Sequence, residues 1–279
     1  MSDTFKKFSY YHHSPSAVQK PLEIDLFQKL LKARGESFQF GSPVTIGRAV
    51  EDVASAVLVN GMDHKEALRH GTSVLDSHEA VPWEQNDMAR LDLHRGDTLE
   101  AMSGYAIEAI SQALSKANQI KGQERLDKKY AGIVLPFLGY SDFYGGNRVV
   151  ELKVKTTAVS DSKAGRRAGS LPSKPDSNHA TQVAFYADVL NCPATLVYVS
   201  EKGFKIFDET NCEELSTPGF ANNLKELKAR AWARENIMRC APDTRTLMQM
   251  LSPNFQDWGW KMNPEHLEEA RAIWGLNQS

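Results

Sequence analysis

Two acids and a lysine stand close together in the middle of the chain, in two runs at residues 139–143 and 149–153. Asp142 lies in the first run, and Glu151 and Lys153 follow it by nine and eleven residues. Because side chains alternate along a β-strand, Glu151 and Lys153 project from the same face. Carboxylates bind hard divalent cations, and a metal ion beside a lysine can activate water against a phosphate ester. The residue types and their spacing therefore predict a site for metal-assisted cleavage of a phosphodiester bond.

The segment between the two runs, Gly145-Gly146-Asn147, predicts a β-hairpin. A two-residue turn at Gly146-Asn147 would place Asp142 directly opposite Glu151, about 5 Å apart at Cβ. A three-residue loop would leave the acids one residue out of register. A turn at Gly145-Gly146 would leave them two residues out, still on one face. The sequence leaves these three registers open.

Two helical patterns supply further polar side chains. Gln182 and Tyr186 are four residues apart in a helical run, so they share one helix face. Upstream, Gly47 opens an amphipathic run, and Glu51 borders its apolar stripe. A carboxylate there is costly unless it is paired or bound to a metal. Both helices are therefore candidates for completing the site.

In this order, the four elements resemble the PD-(D/E)XK nuclease superfamily, and within it the RecB-type and lambda-exonuclease-type branch. The matching features are an Asp, a later Glu-x-Lys, a Gln-x-x-x-Tyr, and an upstream Gly followed four residues later by an acid. The resemblance covers residues 47 to 186 and does not extend to the C-terminal region. It implies a metal-dependent deoxyribonuclease with Mg²⁺ or Mn²⁺ as the cofactor.

The resemblance also implies roles for individual residues. The metal ligands would be Glu51, Asp142, Glu151 and the carbonyl of Leu152. Lys153 would orient or help deprotonate the attacking water and offset charge on the phosphate. Gln182 and Tyr186 would brace Lys153 and the scissile phosphate. Purely structural interpretations stay open, with Glu151 and Lys153 as a plain ion pair and Tyr186 as a core residue.

A basic segment separates the second acid run from the helix of Gln182. Its loop, residues 159–177, is rich in Ser, Lys, Gly, Arg and Pro and has no periodicity. A loop of this length is either functional or mobile, and we expect its basic part, Lys163 to Lys174, to contact the DNA backbone and to lack fixed structure without DNA. The expected DNA contacts are Arg48, Lys155, Lys163, Arg166, Arg167, Lys174 and His179. A solvated loop and ordinary surface cations are the alternative interpretations.

The composition of the 279 residues argues against several other classes of protein. The net charge of −2 does not by itself indicate nucleic acid, but a nuclease needs only a local basic surface. No apolar run reaches the ~18–20 residues of a membrane span, and the N-terminus lacks the apolar core of a signal peptide. Cys192, Cys212 and Cys240 are scattered, which argues against an iron–sulfur cluster. We therefore expect a cytoplasmic protein, of a bacterium or a phage-infected cell, without a membrane partner.

The order of the elements predicts an α/β fold with a central mixed β-sheet flanked by helices and with extra N- and C-terminal helices. The resemblance implies that its core is restriction-endonuclease-like. Helices are predicted at 22–34, 47–59 (with Thr45 as N-cap), from Asp63, at 84–118, from 177 or 178 to 190, at 220–239 and at 264–274. Strands are predicted at 130–134, 137–144, 148–155, 195–199 and 204–207. The whole chain, 1–279, is predicted to be one nuclease domain. Its catalytic core would cover about 40–210 and its helical C-terminal portion about 219–279.

The resemblance implies a metal-dependent exonuclease that acts on DNA with a free end, in recombination, repair or DNA degradation. A single-strand annealing or recombination protein is the expected partner. Two alternatives stay open: an endonuclease of the same superfamily, restriction-like or junction-resolving, and a non-catalytic DNA-binding subunit with this fold.

Overall fold

A computed structural model describes residues 3–36, 39–84, 86–159 and 166–276. The chain divides into two compact units. The terminal unit combines Met1–Gln39, Asp127–Gly139 and Leu224–Ser279. The sheet unit combines Phe40–Leu126 and Tyr140–Asn223. The predicted single nuclease domain stays a prediction.

The sheet unit contains most of a five-stranded mixed sheet. In the order in which they lie side by side, the strands are β1 (Lys121–Lys128), β2 (Phe137–Gly145), β3 (Arg148–Lys155), β6 (Ala194–Ser200) and β7 (Gly203–Phe207). The pairs β2–β3 and β6–β7 are antiparallel, whereas β3 and β6 are parallel. A second small sheet pairs β4 (Ala158–Val159) with β5 (Arg166–Arg167).

Helices flank both faces of this sheet, which confirms the predicted α/β class. They are α3 (Ser42–Leu58), α4 (His64–Asp76), α5 (Asp87–Leu93), α6 (Asp97–Ala113) and α7 (Ser177–Leu190). The apolar stripes of α3 and α6 pack with Val150 and Leu152 of β3 in one core cluster. Glu151 and Lys153 alternate with those two residues, so they project from the other face, where α7 contacts β3 and β6. The polar site residues of β3 therefore lie on the α7 face.

The terminal unit has a core of its own. Its helices are α1 (Asp3–Lys6), α2 (Leu22–Ala33), most of α8 (Thr217–Arg239), α9 (Thr244–Gln249) and α10 (Pro264–Ile273). Aromatic side chains such as Phe27 and Trp260 fill that core, with ring centroids 5.8 Å apart. Arg234 forms a buried ion pair of 2.7 Å with Asp25. In the described part of the chain, no helix is long and apolar enough to span a membrane.

Most predicted elements are confirmed, and three differ from the prediction. The strand expected at 130–134 is absent, and the first strand is instead β1, a charged strand in which only Leu126 is buried. The helix expected at 84–118 is divided into α5 and α6, because the chain turns at Gly96 with a φ of 54°. Helix α3 begins at Ser42, and its N-cap is Gly41 rather than Thr45.

Candidate active site

The β2–β3 hairpin sets the distance between the two acids. Gly145 pairs with Arg148, so the turn contains only Gly146 and Asn147. Their φ angles of 55° and 60° are those of a type I′ turn, which needs positive φ at both central positions. Phe143 pairs with Val150, and continuing this register places Asp142 opposite Glu151. The first of the three registers left open by the sequence is therefore the observed one.

Asp142 takes part in the hairpin through its side chain. Its Oδ2 accepts a hydrogen bond of 2.8 Å from the backbone N–H of Leu152. The residue is half-buried, and burial of its carboxyl group, followed by the charges of Glu151 and Glu51, raises its pKa well above the usual value. The three acids therefore lie close enough to repel one another when no cation is bound.

Glu151, Lys153 and Gln182 form one hydrogen-bonded network. Glu151 is only 2% exposed, and its Oε1 accepts from Lys153 Nζ at 2.7 Å and from Gln182 Nε2 at 2.8 Å. Lys153 also donates to Gln182 Oε1 at 3.2 Å. Burial opposes the charge of Lys153, but Glu151 and Asp142 more than offset it and raise the pKa of the lysine. The plain ion pair is thus present, but it is held within a larger network.

Helix α7 presents Gln182 and Tyr186 to this network. The helix begins after Asp176, whose carboxylate caps it by accepting from the N–H of Asn178 at 2.8 Å. Tyr186 lies one turn after Gln182, and its hydroxyl oxygen accepts from Gln182 Nε2 at 2.8 Å. Tyr186 is 2% exposed, so it is both a core residue and a member of the network. Burial and then the charge of Glu151 raise its pKa well above the usual value.

Glu51 of α3 is the third acid. Burial, the charge of Glu151 and the charge of Asp52 raise its pKa to about 7. Its Oε1 accepts a hydrogen bond from the side-chain amide of Gln123 on β1. Gln123 was not among the residues predicted from sequence. The one local signal was Gly122 within a charged run, since a glycine inside a strand often marks a bulge or a close backbone approach.

The donor set has the chemistry of a site for a hard divalent cation. Among the described residues, Glu151 Oε2 is buried and has no hydrogen-bond partner, and a bound ion or water is a common partner of such an oxygen. Burial, and after it repulsion by the neighbouring acids, raises the pKa of both Asp142 and Glu51, and a cation would relieve the repulsion. Within the described ranges, however, no three His, Cys, Asp or Glu side chains are already arranged to hold a metal ion. Leu152, whose carbonyl is the fourth predicted ligand, has its side chain in the core on the other face.

Two of the predicted DNA contacts lie beside this network. His179 Nδ1 is 2.7 Å from the hydroxyl of Tyr198, which accepts from the N–H of Asp176 at 3.1 Å. Lys155 Nζ lies 5.4 Å from the centroid of the Tyr198 ring. Burial and then the charge of Lys153 lower the pKa of His179 to about 4. His179 is therefore neutral near pH 7, and it stands close to two lysines.

The other predicted DNA contacts are described by their positions in the fold. Arg48 lies on α3 three residues before Glu51, with its guanidinium 5.0 Å from the centroid of the Phe40 ring. Arg167 and Lys174 are exposed. Arg166 belongs to β5, and Lys163 lies outside the described residues.

The described part of the basic loop has fixed structure, which corrects the expectation that all of it lacks structure without DNA. Arg166–Arg167 forms β5 and pairs with Ala158–Val159. Gly169 lies against the end of β3, where a Cβ atom would come within 2.2 Å of the carbonyl oxygen of Lys155. These contacts tie the segment to the strand that carries Glu151. They depend on pairing and close backbone approach, which residue composition does not reveal.

Comparison with known proteins identifies no family. No family model and no curated protein matches the chain. A crystal structure of a protein named "Putative exonuclease" from Eubacterium rectale is similar over 85% of this chain and 86% of its own, with 12% identity and a TM-score of 0.47. The crystal structure of SSO0001 is similar over 76% of this chain and 87% of its own, with 13% identity and a TM-score of 0.27. Structural similarities this weak carry no argument about the function of this chain.

Proposed function

We propose that this chain is a nuclease of the PD-(D/E)XK type that hydrolyses phosphodiester bonds of DNA with Mg²⁺ or Mn²⁺. The observation that carries the proposal is the single network in which Gln182 binds both Glu151 and Lys153, with Asp142 on the neighbouring strand. An isolated ion pair would need neither the glutamine nor the second acid. The buried, unpartnered Oε2 of Glu151 supports a ligand at this position.

Each residue would contribute a defined step. Asp142, Glu151, Glu51 and the Leu152 carbonyl would hold the ion, which when bound polarises the phosphate and lowers the pKa of water. Lys153 has a raised pKa, so it stays an ammonium near neutral pH. This charge favours orienting the water and offsetting negative charge on the phosphate, and it disfavours a role as proton acceptor. Gln182 keeps Lys153 and Glu151 in place.

The finer part of the proposal is exonuclease action at DNA ends, which the Gln-x-x-x-Tyr pattern of the resembling branch favours. His179, Lys155 and the basic segment would contact the DNA backbone near the site. Digestion of linear duplex against covalently closed circles of the same sequence separates this activity from that of an endonuclease. Cleavage of the linear form alone supports an exonuclease, and nicking of the circles supports an endonuclease.

The decisive experiment is digestion of end-labelled linear duplex with Mg²⁺, with Mn²⁺ and with EDTA. We expect cleavage only with a metal, and its loss in the variants Asp142→Asn, Glu151→Gln and Lys153→Met. The matched control is Glu209→Gln, because Glu209 accepts a hydrogen bond of 2.8 Å from Arg148 at the other end of β3. Cleavage in EDTA, or cleavage at the wild-type rate in any of the three site variants, would exclude the proposed site.

One observation favours a second candidate, a non-catalytic DNA-binding subunit. It is the lack of a preformed three-ligand metal group among the described residues. In that case the wild type would bind linear duplex but would leave it intact at any Mg²⁺ or Mn²⁺ concentration. Calorimetric titration with Mn²⁺ then distinguishes the two candidates without DNA, since only the nuclease requires the metal.

A further inference from the structure

Gln123 has a backbone conformation that most residues avoid. Its φ is 52°, in the left-handed region, although it has a side chain and lies within β1. A non-glycine residue in this region is uncommon, and such residues persist where the surrounding structure fixes them. Glycine would satisfy the same backbone without a steric cost. A side chain kept at this position therefore indicates a contact that glycine could not make.

The neighbouring glycine shows what fixes the strand at this point. A Cβ atom on Gly122 would lie 3.3 Å from Ser55 Oγ and 3.2 Å from Val59 Cγ2. Ser55 and Val59 follow Glu51 by four and eight residues on or just after α3, so all three share one face of the helix. The same Cβ atom would lie 3.7 Å from the carbonyl oxygen of Asp142. Because the backbone at Gly122 packs closely against these atoms, β1 lies beside the helix face of Glu51 and beside Asp142.

The left-handed turn of the backbone at Gln123 coincides with a contact between its side-chain amide and Glu51. Gln123 Nε2 donates a hydrogen bond to Glu51 Oε1. Glu51 lies near the like charges of Glu151 and Asp52, which repel its ionised form. An amide donor offsets this repulsion without adding a charge. One oxygen of Glu51 is thereby held in place by the amide.

We propose that Gln123 is a positioning residue that holds the carboxylate of Glu51 in place for the divalent cation. This inference rests on the proposed function, because it needs Glu51 to be a metal ligand. Residues that bind to metal ligands orient them, and replacing such a partner costs about 10- to 100-fold in metal affinity or activity. An ordinary surface hydrogen bond would not have this effect.

The test compares Mn²⁺ binding by the wild type, Gln123→Gly, Glu51→Gln and the double variant, measured by calorimetry on the metal-free protein without DNA. Glycine removes the amide and suits the left-handed backbone, so the variant folds. The matched control is Asn147→Gly, because Asn147 also has a positive φ, 60°, but lies in the hairpin turn. We expect Gln123→Gly to bind Mn²⁺ about tenfold more weakly and Asn147→Gly to bind it as the wild type does. In the Glu51→Gln background, Gln123→Gly should have no further effect, because its role acts through Glu51.

Any different result of the Mn²⁺ titrations would contradict either the role of Gln123 or the proposed function. If Glu51→Gln weakens Mn²⁺ binding and Gln123→Gly does not, the role of Gln123 is wrong and the proposed function stands. If the two substitutions weaken binding additively, Gln123 does not act through Glu51, and the inference is also wrong. If the wild type binds no Mn²⁺, the proposed function is wrong and the inference falls with it. The midpoint of thermal unfolding of each metal-free variant, measured in parallel, shows that the affinities refer to folded protein.

Discussion

Gln182 and Glu151 are joined by a hydrogen bond of 2.8 Å from the side-chain amide to the carboxylate oxygen that also accepts from Lys153. A single amide of α7 thus contacts the acid and the lysine of β3, and it donates to Tyr186 one turn later. The distance between acid and lysine is therefore set by a helix as well as by the strand that carries both. Four predictions follow from this site and its surroundings.

Replacing Gln182 with Ala should slow cleavage by about 10- to 100-fold, because Glu151 and Lys153 lose the partner that orients both. The rate is measured with saturating Mg²⁺ and linear duplex. The matched control is Gln112→Ala, since Gln112 is an exposed helical glutamine whose amide also bonds a residue four positions away, Glu108, at 3.1 Å. Equal rates for Gln182→Ala and the wild type would show that Lys153 is oriented without Gln182.

Tyr186→Phe should have a smaller effect than Gln182→Ala. The hydroxyl accepts one hydrogen bond, from Gln182, which keeps its bonds to Glu151 and Lys153 in the variant. The free energy of unfolding should fall by about 0.5–1.5 kcal/mol, the usual net contribution of one hydrogen bond. Urea unfolding and the cleavage rate check the two parts separately. A rate as low as that of Gln182→Ala would instead indicate that the hydroxyl contacts the substrate.

Glu51→Gln should stabilise the metal-free protein at pH 8 but not at pH 4.5. The pKa of Glu51 is raised from 4.5 to about 7 in the folded protein, so the folded state holds this proton more tightly than the unfolded state. The stability that it contributes is present below pH 4.5 and is lost as the pH rises through about 7. A neutral glutamine avoids this loss.

Thermal unfolding across this pH range checks the prediction. Added Mg²⁺ should stabilise only the wild type and should therefore reverse the difference in stability between the two proteins at pH 8. The control is Glu209→Gln, which should change the stability in the opposite direction. The hydrogen bond from Arg148 lowers the pKa of Glu209 instead of raising it. Glu209→Gln should therefore destabilise the protein at pH 8 and have less effect at low pH. An unchanged difference between Glu51→Gln and the wild type at all pH values would mean that neither burial nor the neighbouring acids raise the pKa of Glu51 in the folded protein.

Replacing Arg166 and Arg167 together with Ala should weaken binding to all DNA sequences alike. Each phosphate contact that is lost should lower the slope of log affinity against log salt by about one unit. Binding is measured across a salt series with Ca²⁺ in place of Mg²⁺ to suppress cleavage. Lys116→Ala is the control, because Lys116 is an exposed cation of the sheet unit beside the hairpin turn at Gly146. Equal salt slopes for the wild type and the double variant would mean that these two arginines contact no phosphate and that the segment is a solvated loop.

The parts of the site that the sequence predicted are those encoded by local patterns. Alternation placed Glu151 and Lys153 on one face, helical spacing joined Gln182 to Tyr186, and Gly146 belonged to a recognisable turn. Each of these relations spans only a few residues along the chain, so the backbone geometry of one element or one hairpin determines it.

The parts that were missed depend on distant pairing. Gln123 bonds an acid 72 residues away, through a strand whose charged sequence carries little strand signal. Its left-handed φ lies next to the close packing at Gly122, and Gly122 marks a close approach in the sequence without indicating what it approaches. The helix break at Gly96 was missed for a local reason, because a glycine inside a helical pattern is tolerated and does not by itself predict the end of a helix.

The hydrogen bond from the Leu152 amide to Asp142 gives the site a spectroscopic reporter. An amide proton bonded to a carboxylate senses the charge on that oxygen, so its NMR frequency should change when a proton or a cation reaches Asp142. Titration of isotope-labelled protein would then follow the occupancy of the site at one backbone position, without substrate and without substitution. The order in which different ions fill the site could be read from the same resonance.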